Sequence, residues 1–313
     1  MSLAVVFPGQ GSQSVGMLGA LAAAEPLVQA TFAEASHVLG YDLWQLVQYG
    51  PAELLNATER TQPAMLAAGV AVWRVWQSRG GAAPAMLAGH SLGEFSALVC
   101  AEALPFGDAV AVVQFRGQAM QQAVPAGQGA MAAILGLEDA DVEAACAEAA
   151  AGDVVEAVNY NSPGQLVIAG HAAAVGRAIE AAKARGATRA LLLPVSVPAH
   201  SSLLRVAGER LRERLAGVPL RAPRWPVYAL GLRRHDTAEA IRDLLVRQLS
   251  CPVRWTDTVR DMIRRGATRI VECGPGKKLT ALNRRIERSK EIAMQAIEDP
   301  ASLAAAVAEE ANA

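Results

Sequence analysis

AMAAILGLEDADVEAACAEAAAGDVVEAVNYNSPGQLVIAGHAAAVGRAIEAAKARGATRALLL, residues 130–193, decides the reading of the fold. Ala130–Leu135 has the apolar run of a strand, and Asp139–Ala150 the composition of a helix. Val154–Val158 reads as a second strand. Asn161-Ser162-Pro163-Gly164 is built from the residues that turns prefer, and Gln165–Ala169 follows it as a third strand. Ala172–Arg185 is a helix stopped by Gly186, and Arg189–Leu193 a fourth strand. The order β-α-β-β-α-β is that of a ferredoxin-like unit. It places a small subdomain over 126–196, inserted into a larger α/β domain made of 1–125 and 197–313.

The flanks fit that larger domain. Leu3–Phe7 is a buried strand stopped by Pro8-Gly9, and a helical stretch runs from Leu18 to Leu39. Thr61-Gln62-Pro63 has a cap residue and an early proline, the marks of a helix start. That helix passes Trp73 and Trp76 and stops at Gly80-Gly81. Ala85–Ala88 is a short strand before an apolar helix ending near Cys100, and Asp108–Ala123 is a helix carrying Arg116. Beyond the insert come a return segment Pro194–His200, a helix Leu203–Leu215 and a strand Val227–Leu230. Helices Ala238–Leu249 and Thr256–Arg265 and a strand Arg269–Cys273 complete the reading.

Composition narrows the function. The chain has 313 residues, 52% of them hydrophobic, enough for a full core. Its 29 basic and 30 acidic residues leave a net charge of −1, so no nucleic-acid partner is expected. No apolar run approaches the roughly 18–20 residues that span a bilayer, and no basic segment stands before Leu3–Phe7 as in a signal peptide. Cys100, Cys146, Cys251 and Cys273 are scattered without metal-ligand spacing. Reduced thiols in a cytoplasmic protein are expected, with no metal.

Gly89-His90-Ser91-Leu92-Gly93 matches G-x-S-x-G, the nucleophile elbow. A glycine-flanked turn serine gives the same letters, but this match lies between a strand and a helix, as the chemistry requires. The glycines permit the sharp turn, and the helix N-terminus offers N–H groups to a developing oxyanion. Of five histidines, His90 adjoins the serine and points away from it. His37 and His171 fall on surface helices, and His235 in a charged turn, Arg233-Arg234-His235-Asp236. His200 closes the return segment and is the favoured base. Asp139, Asp141 and Asp153 all lie in the insert and none is convincing as the third member; a backbone or amide carbonyl could orient the imidazole instead. Gly9-Gln10-Gly11-Ser12-Gln13-Ser14 reads either as an oxyanion loop or as a degenerate dinucleotide fingerprint; the Ser/His pair favours the first. Arg116, on an apolar helix face, is either paired with an internal carboxylate or a fork for a substrate carboxylate.

Taken together these motifs resemble the malonyl-CoA:acyl carrier protein transacylases. Gly9–Gln13, Gly89–Leu98, Phe115-Arg116-Gly117 and Val197-Pro198-Ala199-His200 carry the likeness, with Asn159–Gln165, Gln248–Trp255 and Glu272–Lys277. It spans about residues 3–287, in order. The resemblance implies an α/β-hydrolase-like large subdomain and no cofactor. It implies malonyl transfer from malonyl-CoA to the phosphopantetheine thiol of acyl carrier protein, serving fatty acid synthesis, with no membrane partner. By the same resemblance Ser91 is the nucleophile and His200 the base, oriented by the main-chain carbonyl of Gln248. Backbone N–H groups of Gln10 and Leu92 form the oxyanion hole, and Arg116 holds the malonyl carboxylate. The sequence departs from the family at Ala199, commonly serine in the bacterial enzymes, and over Val227–Arg234, which lacks the usual asparagine. A thioesterase, a polyketide or malonate-decarboxylase transferase, and a non-catalytic scaffold are the alternatives. Lys277, Lys278, Arg284, Arg285 and Arg288 follow the Gly274-Pro275-Gly276 turn as a candidate rim for the acidic carrier, or as a solvated helix face.

Overall fold

Leu3-Ala4-Val5-Val6-Phe7 is apolar at every position, which suits a strand covered on both faces. The structure, a computed structural model, describes residues 2–125, 127–195 and 197–311. Among these residues the strands are β1 (Ser2–Phe7), β2 (Met86–Gly89), β3 (Gly129–Leu135), β4 (Val155–Ser162), β5 (Gln165–His171), β6 (Arg189–Leu192), β7 (Val227–Ala229), β8 (Arg233–His235), β9 (Ala267–Cys273) and β10 (Ala293–Ile297). β1 is central in a six-stranded sheet ordered β10-β9-β1-β2-β7-β8. All its pairings are parallel except β7 with β8.

Alternate β1 side chains point to opposite faces, as the two-residue strand period requires. Leu3, Val5 and Phe7 join a core with Phe32, Trp76, Phe95 and Val113, while Ala4 and Val6 join a second with Trp255, Val259 and Met262. Full burial of such large apolar side chains contributes about 1.5–3 kcal/mol each. Helix Thr58–Ser78 lies at the centre of the first core and packs on helix Phe106–Ala123. The approach is close because Gly117 has no Cβ; one placed there would meet the Glu59 Cα at 2.6 Å.

β3 to β6 form a second, wholly antiparallel sheet ordered β4-β5-β3-β6. Helices Asp139–Ala150 and Ala172–Ala184 cover one face through Val142, Cys146, Val175 and Ile179. The other face, with Met131 and Val167, turns toward the cleft beside Ser91. β4 is tied to the larger unit where Tyr160 N donates to Val253 O at 2.9 Å and Val253 N to Val158 O at 2.8 Å. Ala126 and Ser196, the limits read for the small subdomain, lie outside the described residues.

Several elements differ from expectation. Helix Thr58–Ser78 starts a turn before Thr61, with Pro63 inside it, because Arg60 N and Thr61 N already donate to Ala57 O. The Leu18–Leu39 stretch breaks at Glu25, extended before Pro26, into Gly19–Ala24 and Pro26–Leu39. β4 runs on to Ser162, leaving only Pro163-Gly164 to turn. His171 ends β5 instead of lying on a helix, and His235 sits in β8 instead of a charged turn. Helices Leu43–Tyr49, Ala52–Leu55 and Pro300–Ala311 and strand β10 have no counterpart in the sequence reading. Among the described residues no helix is long and apolar enough to cross a membrane.

Candidate active site

β2 ends at Gly89 and helix Gly93–Cys100 begins four residues later, so Ser91 stands on a turn that reverses the chain between them. Its φ is +53°, a left-handed conformation that non-glycine residues rarely adopt. The flanking glycines are required by contact. A Cβ on Gly89 would sit 1.8 Å from the carbonyl carbon of Gly93, and one on Gly93 2.1 Å from Phe7 O. The Gly9–Gln13 loop thereby lies directly over the elbow.

His200 Nε2 is 2.7 Å from Ser91 Oγ, and His200 Nδ1 is 2.8 Å from the main-chain oxygen of Gln248. A carbonyl only accepts, so Nδ1 carries the proton and the Nε2 lone pair faces the serine hydroxyl. Burial pushes the His200 pKa down to about 3. The nearby Arg116 charge works in the same direction, and the Gln248 bond opposes it. The imidazole is therefore neutral at physiological pH and able to take a proton. His90 is engaged elsewhere, with its Nε2 2.8 Å from Asn161 Oδ1 and its ring packed against Trp255.

Arg116 is 1% exposed, yet among the described residues no carboxylate lies in contact with it. Nη1 donates to Gln62 Oε1 and Nη2 to Gln248 Oε1, both at 2.8 Å, and Nε has no partner among the described residues. Burial pushes its pKa down to about 10, with the Glu94 charge opposing, so it stays cationic. The internal salt bridge, one of its two readings, is not what the structure holds.

Ser91, His200 and Arg116 line one cleft of about 710 Å³, with Gln10, Leu92, Asn161 and Ala199. The size suits a small organic ligand. The backbone N–H groups of Gln10 and Leu92 donate to no acceptor among the described residues. They adjoin Ser91 as an oxyanion site must. Of the basic residues, Lys278 and Arg285 reach the cleft. Lys278 Nζ bonds Gly11 O and braces the loop, while Arg285 donates to Gln165 at 2.8 Å. Lys277 pairs with Glu298 at 2.5 Å, Arg284 bonds Met294 O, and Arg288 is exposed.

Sequence reasoning missed Gln62, Glu94, His235 and the side chain of Gln248. Glu94 did carry a signal, as the one charge in the apolar run Leu92–Cys100. His235 carried none, since three residues of β8 read as a polar turn.

The chain matches the acyl transferase domain family over residues 4–304. It is 56% identical over 305 residues to the malonyl CoA-acyl carrier protein transacylase of Escherichia coli (strain K12), covering 97% of this chain and 98% of that protein. The chain belongs to the malonyl CoA-acyl carrier protein transacylase family. It is thus an acyltransferase by family. Among solved structures, an acyl carrier protein S-malonyltransferase from Vibrio cholerae aligns with a TM-score of 0.94 at 56% identity, over 97% of this chain and 99% of that one. A malonyl-transacylase in complex with a type II PKS acyl-carrier protein aligns with a TM-score of 0.97 at 52% identity, over 99% and 100%.

Proposed function

We propose that this acyltransferase moves malonyl from malonyl-CoA to the phosphopantetheine thiol of acyl carrier protein through a malonyl ester on Ser91, supplying fatty acid synthesis. The observation that carries the reading is the line Ser91–His200–Gln248 O in one cleft with a buried guanidinium that no carboxylate contacts. Ser91 Oγ attacks the thioester carbon while its proton passes to His200 Nε2. The tetrahedral oxyanion rests on the N–H groups of Gln10 and Leu92, preorganised so that little rearrangement is needed as charge develops. The C–S bond breaks, and the coenzyme A sulfur leaves with the proton from His200. The carrier thiol then gives its proton to the same nitrogen, attacks the ester, and Ser91 is restored. Arg116 holds the malonyl carboxylate through its fork.

The architecture supports the same reading. We take the six-stranded unit as α/β-hydrolase-like and the four-stranded unit as a ferredoxin-like insert over 126–196. In chain order its strands lie fourth, first, third, second across the sheet. Four free cysteines fit a reducing compartment, and we assign the reaction to the cytoplasm.

Brief incubation with malonyl-CoA, followed by intact and peptide mass spectrometry, tests the proposal. One malonyl adduct on the Ser91 peptide is expected, absent in Ser91→Ala and discharged by an acyl carrier protein thiol. An adduct on a cysteine, or one surviving in Ser91→Ala, overturns it. Discharge to water as fast as to the carrier indicates a thioesterase instead.

A further inference from the structure

Behind the reacting groups lies a buried chain of polar side chains that the acyl-transfer steps do not use. His235 Nε2 is 2.7 Å from Glu94 Oε1. Gln248 Nε2 donates to Glu94 Oε2 at 2.8 Å and to Ser91 O at 3.0 Å. Gln248 Oε1 accepts from Arg116 at 2.8 Å, and the main-chain oxygen of the same residue accepts from His200 at 2.8 Å. The side chains of His235 and Glu94 are 0% and 4% exposed. One glutamine therefore holds both groups to which the proposed function assigns chemistry, and a buried carboxylate holds the glutamine.

We propose that Glu94, clamped by His235, is a positioning residue for Arg116 and, through the shared Gln248, for His200. This inference rests on the proposed role of Arg116. Its physical basis is the polarity of an amide. A guanidinium only donates and a carboxylate only accepts, so a primary amide between them fits in one orientation, with oxygen toward Arg116 and NH₂ toward Glu94. Ser91 O is a second acceptor on the NH₂ side and enforces the same choice. Glu94 also gives the buried cation a counter-charge one amide away. A direct ion pair would occupy the fork, whereas this arrangement engages two of its five N–H groups, one each with Gln62 and Gln248. His235 supplies the donor for the second Glu94 oxygen. A carboxylate buried with an oxygen unserved is destabilised, and it would turn toward Arg116 or Gln248 and distort both contacts.

The test is the ratio of kcat/KM for malonyl-CoA to that for acetyl-CoA, which a merely structural role would leave unmoved. Glu94→Ala is expected to lower that ratio on the order of tenfold, within the range of couplings in one hydrogen-bond network. In an Arg116→Ala background it is expected to change the ratio little, because its target is gone. His235→Leu lowers the ratio in the same direction. His235→Gln, which places an N–H near the position of Nε2, restores most of it. A Glu94→Ala ratio equal to the native one, or an equal fall in the Arg116→Ala background, overturns the inference. If Glu94→Ala does not fold, the His235 pair decides: equal ratios in the leucine and glutamine variants overturn it. An unmoved ratio in Arg116→Ala alone defeats the Arg116 assignment, and this inference with it. A normal Arg116→Ala response beside an unmoved Glu94→Ala defeats only this inference.

Discussion

Arg116 is a guanidinium removed from water with no carboxylate of the described residues in contact, and amide oxygens replace only part of what hydration supplied. In the proposed role a malonyl carboxylate would supply bidentate, charge-assisted bonds there, whereas an acetyl methyl would leave the fork unanswered. Arg116→Ala removes both the attraction and the penalty. Malonyl transfer is expected to fall by about 2–5 kcal/mol in kcat/KM, the scale of truncating a buried charge pair. Acetyl transfer is expected to hold or rise. Arg116→Lys keeps the charge but loses the fork, and should fall between the two. Steady-state kinetics with both thioesters measure this, and an unchanged preference would place selectivity elsewhere.

At the scale of the element, helix Lys278–Ile286 and the residues just after it divide the candidate carrier rim between different contacts. Lys278 stays exposed but bonds Gly11 O through Nζ, and partial desolvation pushes its pKa down, so it braces the loop that carries Gln10. Arg285, in the last turn, and Arg288, just past the helix end, are exposed and, among the described residues, do not bond that loop; they are the better candidates for meeting an acidic carrier. Reversing both, Arg285→Glu with Arg288→Glu, is expected to raise the KM for acyl carrier protein a few-fold. The effect should grow at low salt, as screening of exposed charges requires. The KM for malonyl-CoA should move less. Parallel shifts in both constants would remove the docking role.

For the molecule as a whole, the cleft between the two sheets keeps His200 dry, and acid is the probe of that burial. A protonated imidazole cannot accept the serine proton, and burial holds His200 neutral down to about pH 3. Its low-pH limb in kcat/KM should therefore lie well below 6.5, where an exposed histidine would titrate. Burial, the Arg116 charge and His90 all lower this pKa, so Arg116→Ala removes one of the causes and should move that limb upward. Stability follows the same sign. Below pH 6.5 the unfolded chain binds a proton at this residue and the native chain does not, so stability present above 6.5 is lost as pH falls. His90, also lowered by burial, acts in the same direction. Thermal melting from pH 7 to 5 should show a falling Tm, less steep in a His200→Gln variant.

Local pattern was enough for much of this protein. Two-residue and helical periodicities survive in a linear string, so residues 130–193 announced their four strands and two helices, though β4 ran past its expected end at Val158 to Ser162. The elbow was legible because glycine contact and a strand-to-helix switch are both local requirements. His200 was reached by elimination, and Arg116 by being a charge in an apolar run. What the string could not contain was the partner of each buried charge. Whether Arg116 met a carboxylate or two amides depended on Gln62, 54 positions away, and Gln248, 132 away. His235 read as part of a polar turn until β8 paired with β7 and turned it onto Glu94, 141 residues distant. Hydrogen bonds between side chains so far apart are made by packing, and no local rule of periodicity or turn chemistry encodes them.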